Sequence, residues 1–396
     1  MKRKSAVLIS ILLIASLVLT ACGGGNGGNA DSGSGSNGAA ESDEIVVGGI
    51  FPLSGAIATF GQSSVEAIEL AFEEINANGG VLGKQLKFVV EDNRSVQPDS
   101  ATAAQKLINQ DKVVALLGPV ASSNSLAAAP IAQDAKIPLL SPTSTNPDVT
   151  LVGDYIFRAA FIDPFQGAVM ANFATDSLGA TRAAILADAS SDYSKGLADV
   201  FREVFESKGG EIVAEEFFMT GDTDFNAILT NVKNKNPEVV WVPSYYDTAG
   251  LILDQAKNNV GFSKDVIFLG ADGWDSPVLF ELAGDAADGF FFSNHYSPDV
   301  DSPEVKSFLA AYQAKYGGKT PDALGALAYD AAYMLAEAIE KAGSAEPSAI
   351  RDALAAVEIT GVSGQIKLNE NRDPIKSAVV IKIEGQEQAY YTTVNP

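Results

Sequence analysis

From Ile45 onward the chain keeps a rhythm in which short apolar runs alternate with helical stripes, and few folds accommodate it. Ile45–Phe51 is an apolar run. Ser64–Asn78 then carries Val65, Ile68, Phe72 and Ile75 at helical spacing and stops at Gly79-Gly80. A strand over Leu86–Val90, a helix over Ser100–Asn109 and a strand over Val113–Leu117 continue the pattern. Gly118-Pro119 ends that strand, an alanine-rich helix follows with Pro130 as a point of kinking or interruption, and Leu139-Leu140 heads a fourth strand. Asp163-Pro164-Phe165-Gln166 reads as a helix start, with Asp as cap and Pro at the first position. Ala183–Ala187, Ile212–Phe217, Val239–Val242 and Val266–Leu269 then read as strands, with helical patterns over about 195–208, 225–234 and 248–259 between them. Strands spaced by helices imply parallel sheets with right-handed crossovers. After residue 300 the rhythm breaks. Pro303–Tyr316, Asp322–Lys341 and Pro347–Val357 are successive helices, and two short strand-like runs, Gly364–Leu368 and Ala378–Ile383, close the chain. No sequence repeat links the halves, so any duplication is one of architecture.

The segment before Ile45 is of another kind. Lys2-Arg3-Lys4 precedes an apolar run from Ala6 to Leu19, which is short for a membrane span and has the layout of a secretory signal. Cys22 is the one cysteine of the 396 residues, so an exported chain of this sequence forms no internal disulfide. Leu19-Thr20-Ala21-Cys22 resembles a bacterial lipobox, which implies removal of residues 1–21 and diacylglycerol on Cys22. Residues 22–44 are Gly, Ser, Asn and acid after the cysteine and behave as a flexible leash. The formal G-x-G-x-x-G at Gly23, Gly25 and Gly28 has no strand before it and no helix after it, so it is no nucleotide loop. Without the three basic residues of the signal the chain has 24 basic against 50 acidic residues, a net charge of −26. Such a balance disfavours nucleic acid and polyanionic ligands as partners.

In open parallel sheets ligands sit beyond the carboxyl ends of strands. In the first half those ends carry Pro52-Leu53-Ser54-Gly55 with Phe60-Gly61, then Gly118-Pro119-Val120-Ala121-Ser122-Ser123, then Ser141-Pro142-Thr143-Ser144-Thr145. In the second half they carry Ser190-Ser191-Asp192-Tyr193, Ser244-Tyr245-Tyr246-Asp247 and Ala271-Asp272-Gly273-Trp274. Hydroxyls and helix-start N–H groups suit an anion; aromatics with one carboxylate suit a cation on an apolar body. An amino acid satisfies both. Each element also has a plainer reading: Ser122 as a helix cap, Ser-Pro-Thr-Ser-Thr as a loop, Asp272 as a turn former, Tyr193 and Tyr245 as packing. Catalysis finds no support. The single histidine, His295, reads as structural, no nucleophile elbow, Walker sequence or H-E-x-x-H occurs, and no local ligand cluster suggests a metal or cofactor.

GGIFPLSG (48–55), EINANGGVLG (74–83), GPVASS (118–123), SPTST (141–145), FRAAFID (157–163), the tyrosine of SSDYSKG (190–196) and GADGW (270–274) occur in this order. In that order the chain resembles the leucine/isoleucine/valine-binding protein family of solute receptors for ABC importers. The resemblance implies an α/β, two-lobed type I periplasmic binding protein, each lobe a mainly parallel sheet flanked by helices, with three hinge crossings near residues 163, 295 and 358. Lobe one would be 45–162 plus 296–357, lobe two 163–295 plus 358–391. Position by position, it assigns Ser122 and Thr145 to a ligand α-carboxylate, the Thr143 carbonyl and the Asp272 carboxylate to its ammonium, and Phe60, Tyr193 and Tyr245 to the cleft wall. Phe60 stands where a tyrosine is familiar, Asp272 where a longer glutamate is common, and Trp274 where a smaller residue is common, so Trp274 is expected to floor the side-chain pocket. The implied function is that of a monomeric, non-enzymatic receptor on the outer face of the cell membrane. It would close on an amino acid, branched-chain or otherwise apolar, and deliver it to the permease and ATPase subunits of a transporter. A sensor of the same fold, or a receptor for another small zwitterion or amide, is the alternative.

Overall fold

The computed structural model describes residues 43–396; the expected signal, Cys22 and all but the last residues of the leash lie outside them. The first sheet contains β1 (Glu44–Phe51), β2 (Gln85–Asp92), β3 (Ala115–Leu117), β4 (Leu139–Ser141) and β5 (Ile156–Arg158). Their order is β2-β1-β3-β4-β5, parallel throughout. Its connections are helices α1 (Ala58–Ala77), α2 (Gln97–Asn109), α3 (Ser122–Ala135) and α4 (Asp148–Leu151). The central strand β3 is three residues long and wholly buried, which is why it reads in sequence as an unbroken apolar run.

The second sheet contains β6 (Arg182–Asp188), β7 (Glu211–Phe218), β8 (Val239–Trp241), β9 (Ile267–Gly270) and β10 (Phe291–Asn294) in the order β7-β6-β8-β9-β10, again parallel. Helices α5 (Asp163–Asn172), α6 (Asp192–Ser207), α7 (Asn226–Asn234), α8 (Tyr246–Gln255) and α9 (Pro277–Ala283) accompany it. In α6 the buried face is Leu197, Phe201 and Phe205 at helical spacing, while Arg202 on the other face pairs with Asp199 and Glu215. Phe201 stacks on Trp241 of β8 at 5.1 Å, so one periodic stripe fixes the helix on its sheet.

The late helices α10 (Pro303–Lys315), α11 (Ala323–Ala342) and α12 (Pro347–Leu354) return to the first sheet's helices. There Ser63 of α1 donates to Asp322 at 2.6 Å, and Tyr329 and Tyr333 of α11 both donate to Glu74. The hairpin β11 (Glu358–Gly361) and β12 (Gly364–Lys367) does not join the second sheet. It stays on α11, where Asp330 accepts the N–H groups of Val362 (2.7 Å) and Ser363 (2.8 Å). The chain regains the second sheet only at β13 (Ala378–Glu384), antiparallel to β10, and ends in β14 (Glu387–Val394). The third passage therefore lies between β12 and β13, later than the expected position near residue 358. The first joins β5 to α5 and the second joins β10 to α10.

Candidate functional site

On the first lobe the wall starts at Gly118, whose φ is +96° and whose added Cβ would lie 2.3 Å from the Ile50 carbonyl oxygen. Only glycine makes that turn. It carries the chain from β3 into α3 in a short arc. Ala121, in extended conformation, is the residue before the helix, so Ser122 is the first helical residue and not its cap. The Ser122 hydroxyl instead accepts the N–H groups of Thr145 (3.3 Å) and Asn146 (3.2 Å). Thr143 donates to the Val120 carbonyl at 3.0 Å, Ser141 donates to that of Pro119 at 2.8 Å, and the Ser125 and Ser144 hydroxyls lie 2.7 Å apart. These bonds bind the turn after β3 to the loop after β4.

Arg158, at the end of β5, anchors that loop from behind. Its guanidinium is wholly buried, donates to the carbonyls of Ser144 (2.6 Å) and Asn146 (2.8 Å), and pairs with Asp373 at 2.5 Å. Asp373 belongs to the third passage between the lobes, so one ion pair couples a hinge segment to the loop bearing Thr143 and Thr145. The resemblance marked this arginine only as part of a motif. Its role is invisible in sequence because the partner lies more than two hundred residues away.

On the second lobe the centre is Asp272, in the turn that follows β9. Its carboxylate accepts the Tyr193 hydroxyl at 2.7 Å and the Gln166 amide at 2.9 Å, and its other oxygen lies 3.0 Å from His295 Nε2. The His295 ring stacks on Phe161 at 3.7 Å. Burial draws His295 below the ordinary histidine range against the pull of Asp272. Burial alone would raise Asp272, but the bonds from His295, Tyr193 and Gln166 outweigh it and keep the carboxyl below its usual range. The Tyr193 hydroxyl in turn accepts the N–H of Gly273 at 3.0 Å. A Cβ on Gly273 would lie 2.7 Å from the Ser244 carbonyl oxygen, so a glycine lets the turn close on its neighbour.

The two walls meet. Phe60 packs edge-on against Tyr245 and Tyr246, and Tyr193 and Tyr245 stack at 4.9 Å. Ser123 at the start of α3 both donates to the Asp192 carboxylate (2.9 Å) and accepts the Asp192 N–H (3.0 Å) at the start of α6. Asn146 donates to the Asp192 carbonyl, and Thr59 meets Ser276. Between the walls lies a cavity lined by Phe60, Val120, Ser122, Thr143, Thr145, Tyr193, Tyr245, Asp272, Gly273 and Leu324. It has about 230 Å³ of space not filled by atoms, of which the centre of a water molecule can explore only about 10 Å³. That is room for about one water molecule.

Seven of the residues singled out in the sequence thus line one cavity. Trp274 does not. Its indole N–H donates to the Val242 carbonyl at 3.1 Å and its ring packs near Phe292, inside the second lobe. The expectation that it floors the cavity is corrected by that bond, because a buried indole turns toward the acceptor it needs. Leu324, at the start of α11, is a lining residue that the strand-end search missed, since it comes from a helix added to the first lobe late in the chain. Asp163 and Gln166 were legible only as a helix start. Among the described residues no group of histidine, cysteine and carboxylate side chains is arranged to hold a metal, and no helix is long and apolar enough to cross a membrane.

Residues 44–388 match the family described as periplasmic binding protein. The chain belongs to that family. A member from Pseudomonas aeruginosa, the leucine-, isoleucine-, valine-, threonine- and alanine-binding protein, is 31% identical over 85% of this chain and 88% of its own length. Among solved structures of periplasmic binding proteins, the leucine-binding protein LivK of Thermotoga maritima is similar with a TM-score of 0.85 and 40% identity, over 89% of this chain and 99% of that one. LivJ of Streptococcus pneumoniae, a branched-chain amino acid transporter substrate-binding protein solved with isoleucine, gives 0.84 and 36% over 89% and 100%. As a periplasmic binding protein the chain is a solute receptor and not an enzyme, and its fold is the two-lobed type I architecture that the resemblance implies.

Proposed function

We propose that this protein is the receptor of an ABC importer that captures an amino acid with an apolar, branched side chain by closing its two lobes. The observation that carries this reading is the placement of one buried, ionised carboxylate, Asp272, opposite a wall of hydroxyls at the start of α3. Ser122 and Thr145 hold the ligand's carboxylate at the helix N-terminus. Asp272 and the Thr143 carbonyl hold its ammonium, and Phe60, Tyr193, Tyr245 and Leu324 enclose the side chain. No lysine or arginine lines the cavity, which disfavours a second acidic group on the ligand. Closure removes water and strengthens each charge-assisted contact. The ligand shifts the open–closed balance because it touches both lobes.

Cys22 carries the lipid in this reading, and the leash lets a monomeric receptor search the membrane surface near its permease and ATPase partners. A thermal-shift screen of the twenty amino acids tests it. A ligand at a hundred times its Kd adds about 2.7 kcal/mol of stability, so isoleucine, leucine or valine is expected to raise the melting temperature most. A screen in which none of the three moves it contradicts the proposal.

A further inference from the structure

Among the described residues, Asp163 is a carboxyl buried without a donor at either oxygen. It stands at the first passage between the lobes and is 0% exposed. Beside it the Thr145 hydroxyl is also buried and unpartnered. The two residues are held together by the backbone, since Asp163 N–H donates to the Thr145 carbonyl at 2.9 Å. From the other side α6 presses Gly196 so close that an added Cβ would lie 3.3 Å from Asp163 Oδ2.

A threonine hydroxyl has one proton to give. Facing a charged Asp163 it donates there, and turns lone pairs toward any carboxylate in the cavity. Facing a neutral acid it accepts, and its own proton is free for the ligand. We infer that Asp163 is a positioning residue for ligand capture: as a protonated acid it donates to Thr145 Oγ1 and thereby aims the Thr145 proton at the ligand's carboxylate. The inference rests on the reading of Thr145 as a carboxylate-holding residue.

The surroundings favour the neutral acid. Burial raises Asp163 most, the nearby Thr145 hydroxyl opposes this, the charge of Asp272 adds to it and that of Arg158 subtracts, leaving Asp163 pushed up to about 8. Arg158, on β5, is committed to Asp373. Asp272, in the turn after β9, is committed to Tyr193, Gln166 and His295. Tyr245, just ahead of α8, faces Asp163 with an uncharged phenol. On α6, Lys195 and Asp192 pair with each other at the partly exposed edge beside Gly196. None of these neighbours replaces the missing donor.

The sign follows. The proton-bearing form binds, so affinity is full below about pH 8 and falls as pH rises through that value, approaching tenfold per pH unit. Isothermal titration of isoleucine into the purified protein at pH 6, 7, 8 and 9 is compared with the same series on Asp163→Asn, whose amide donates to Thr145 at every pH. The ligand's own ammonium and Lys376, the buried lysine of the third passage, titrate in both proteins and cancel in the comparison. Running the wild-type and Asp163→Asn titrations in two buffers of different ionisation enthalpy counts the protons taken up by each, and the difference belongs to Asp163. The expected result is more proton uptake by the wild type than by Asp163→Asn above pH 8, with a five- to tenfold gap in affinity between the two opening between pH 8 and 9. Asp163→Ala, lacking a donor, is expected to bind more weakly than Asp163→Asn at all four pH values. Parallel pH curves for wild type and Asp163→Asn within twofold, with equal proton uptake by the two, would overturn the inference while leaving the amino-acid reading intact. Absence of isoleucine binding by the folded wild type at pH 6 would overturn both.

Discussion

The two lobes have the same five-strand parallel order, β2-β1-β3-β4-β5 in one and β7-β6-β8-β9-β10 in the other, yet their strand ends bear opposite chemistry. In the first lobe the ends carry Ser122, Thr143 and Thr145, donors and acceptors without charge, stitched by a ladder of hydroxyl bonds and anchored from behind by Arg158. In the second they carry Asp272, a charge held in place by three donors, and a stack of tyrosines. One architecture therefore carries an uncharged wall of hydroxyls on one lobe and a carboxylate with aromatics on the other, which the proposed function reads as half-sites for an anion and a cation. The lesson is that the switch point of a parallel sheet fixes where a ligand sits, while the few residues after each strand fix what it is. In the function proposed above, a zwitterion is the molecule that needs both halves at once.

The asymmetry breaks most severely at Arg158. Arg158→Met leaves Asp373 buried and unpaired, which costs about 3–5 kcal/mol, and frees the loop that carries Thr143 and Thr145. Urea unfolding is expected to show that loss of stability, and calorimetry a fall in affinity beyond it. An unchanged unfolding midpoint would mean that the loop holds its shape without the ion pair. Ser122→Ala is a smaller cut on the same lobe. It removes a bond to a charged group, about 1.5–3 kcal/mol, and affinity for isoleucine is expected to drop roughly ten- to hundredfold. Since it touches only the carboxylate half, the des-amino analogue should suffer equally. An analogue spared by Ser122→Ala would place the carboxylate elsewhere.

How much of this was legible in sequence depended on the distance between cause and effect. β1, β3, β6, β8 and their helices follow from apolar runs and stripes, because burial on both faces writes itself into composition. β14 is fainter: Tyr390 to Val394 are strand-preferring residues, but Glu387–Val394 is an edge strand with an exposed, polar face, so no apolar alternation accompanies them. The hairpin β11–β12 was assigned to the wrong lobe because its anchor, the Asp330 carboxylate, lies about thirty residues back on α11. In the site, Ser122, Thr143, Thr145 and Asp272 were readable as strand-end residues, with a resemblance to sort them. Trp274 was misplaced because its position after Asp272 says nothing of where a large indole finds an acceptor. His295 and Asp163 could not be tied to the site in sequence, because their contacts with Asp272 and Thr145 are assembled only in the folded chain.

The division of labour between the lobes stands or falls with the pairing of Asp272 and a ligand ammonium. Its measurement is a calorimetric cycle: isoleucine and its des-amino analogue, 3-methylpentanoic acid, titrated into wild type and Asp272→Asn. Truncating one partner of a buried charge pair costs about 2–5 kcal/mol, so isoleucine is expected to bind Asp272→Asn roughly 30-fold to several thousand-fold more weakly. The des-amino acid, already weak on the wild type, should lose little more. Equal isoleucine affinity in the two proteins would contradict the account, since the second lobe would then contribute no charge to capture.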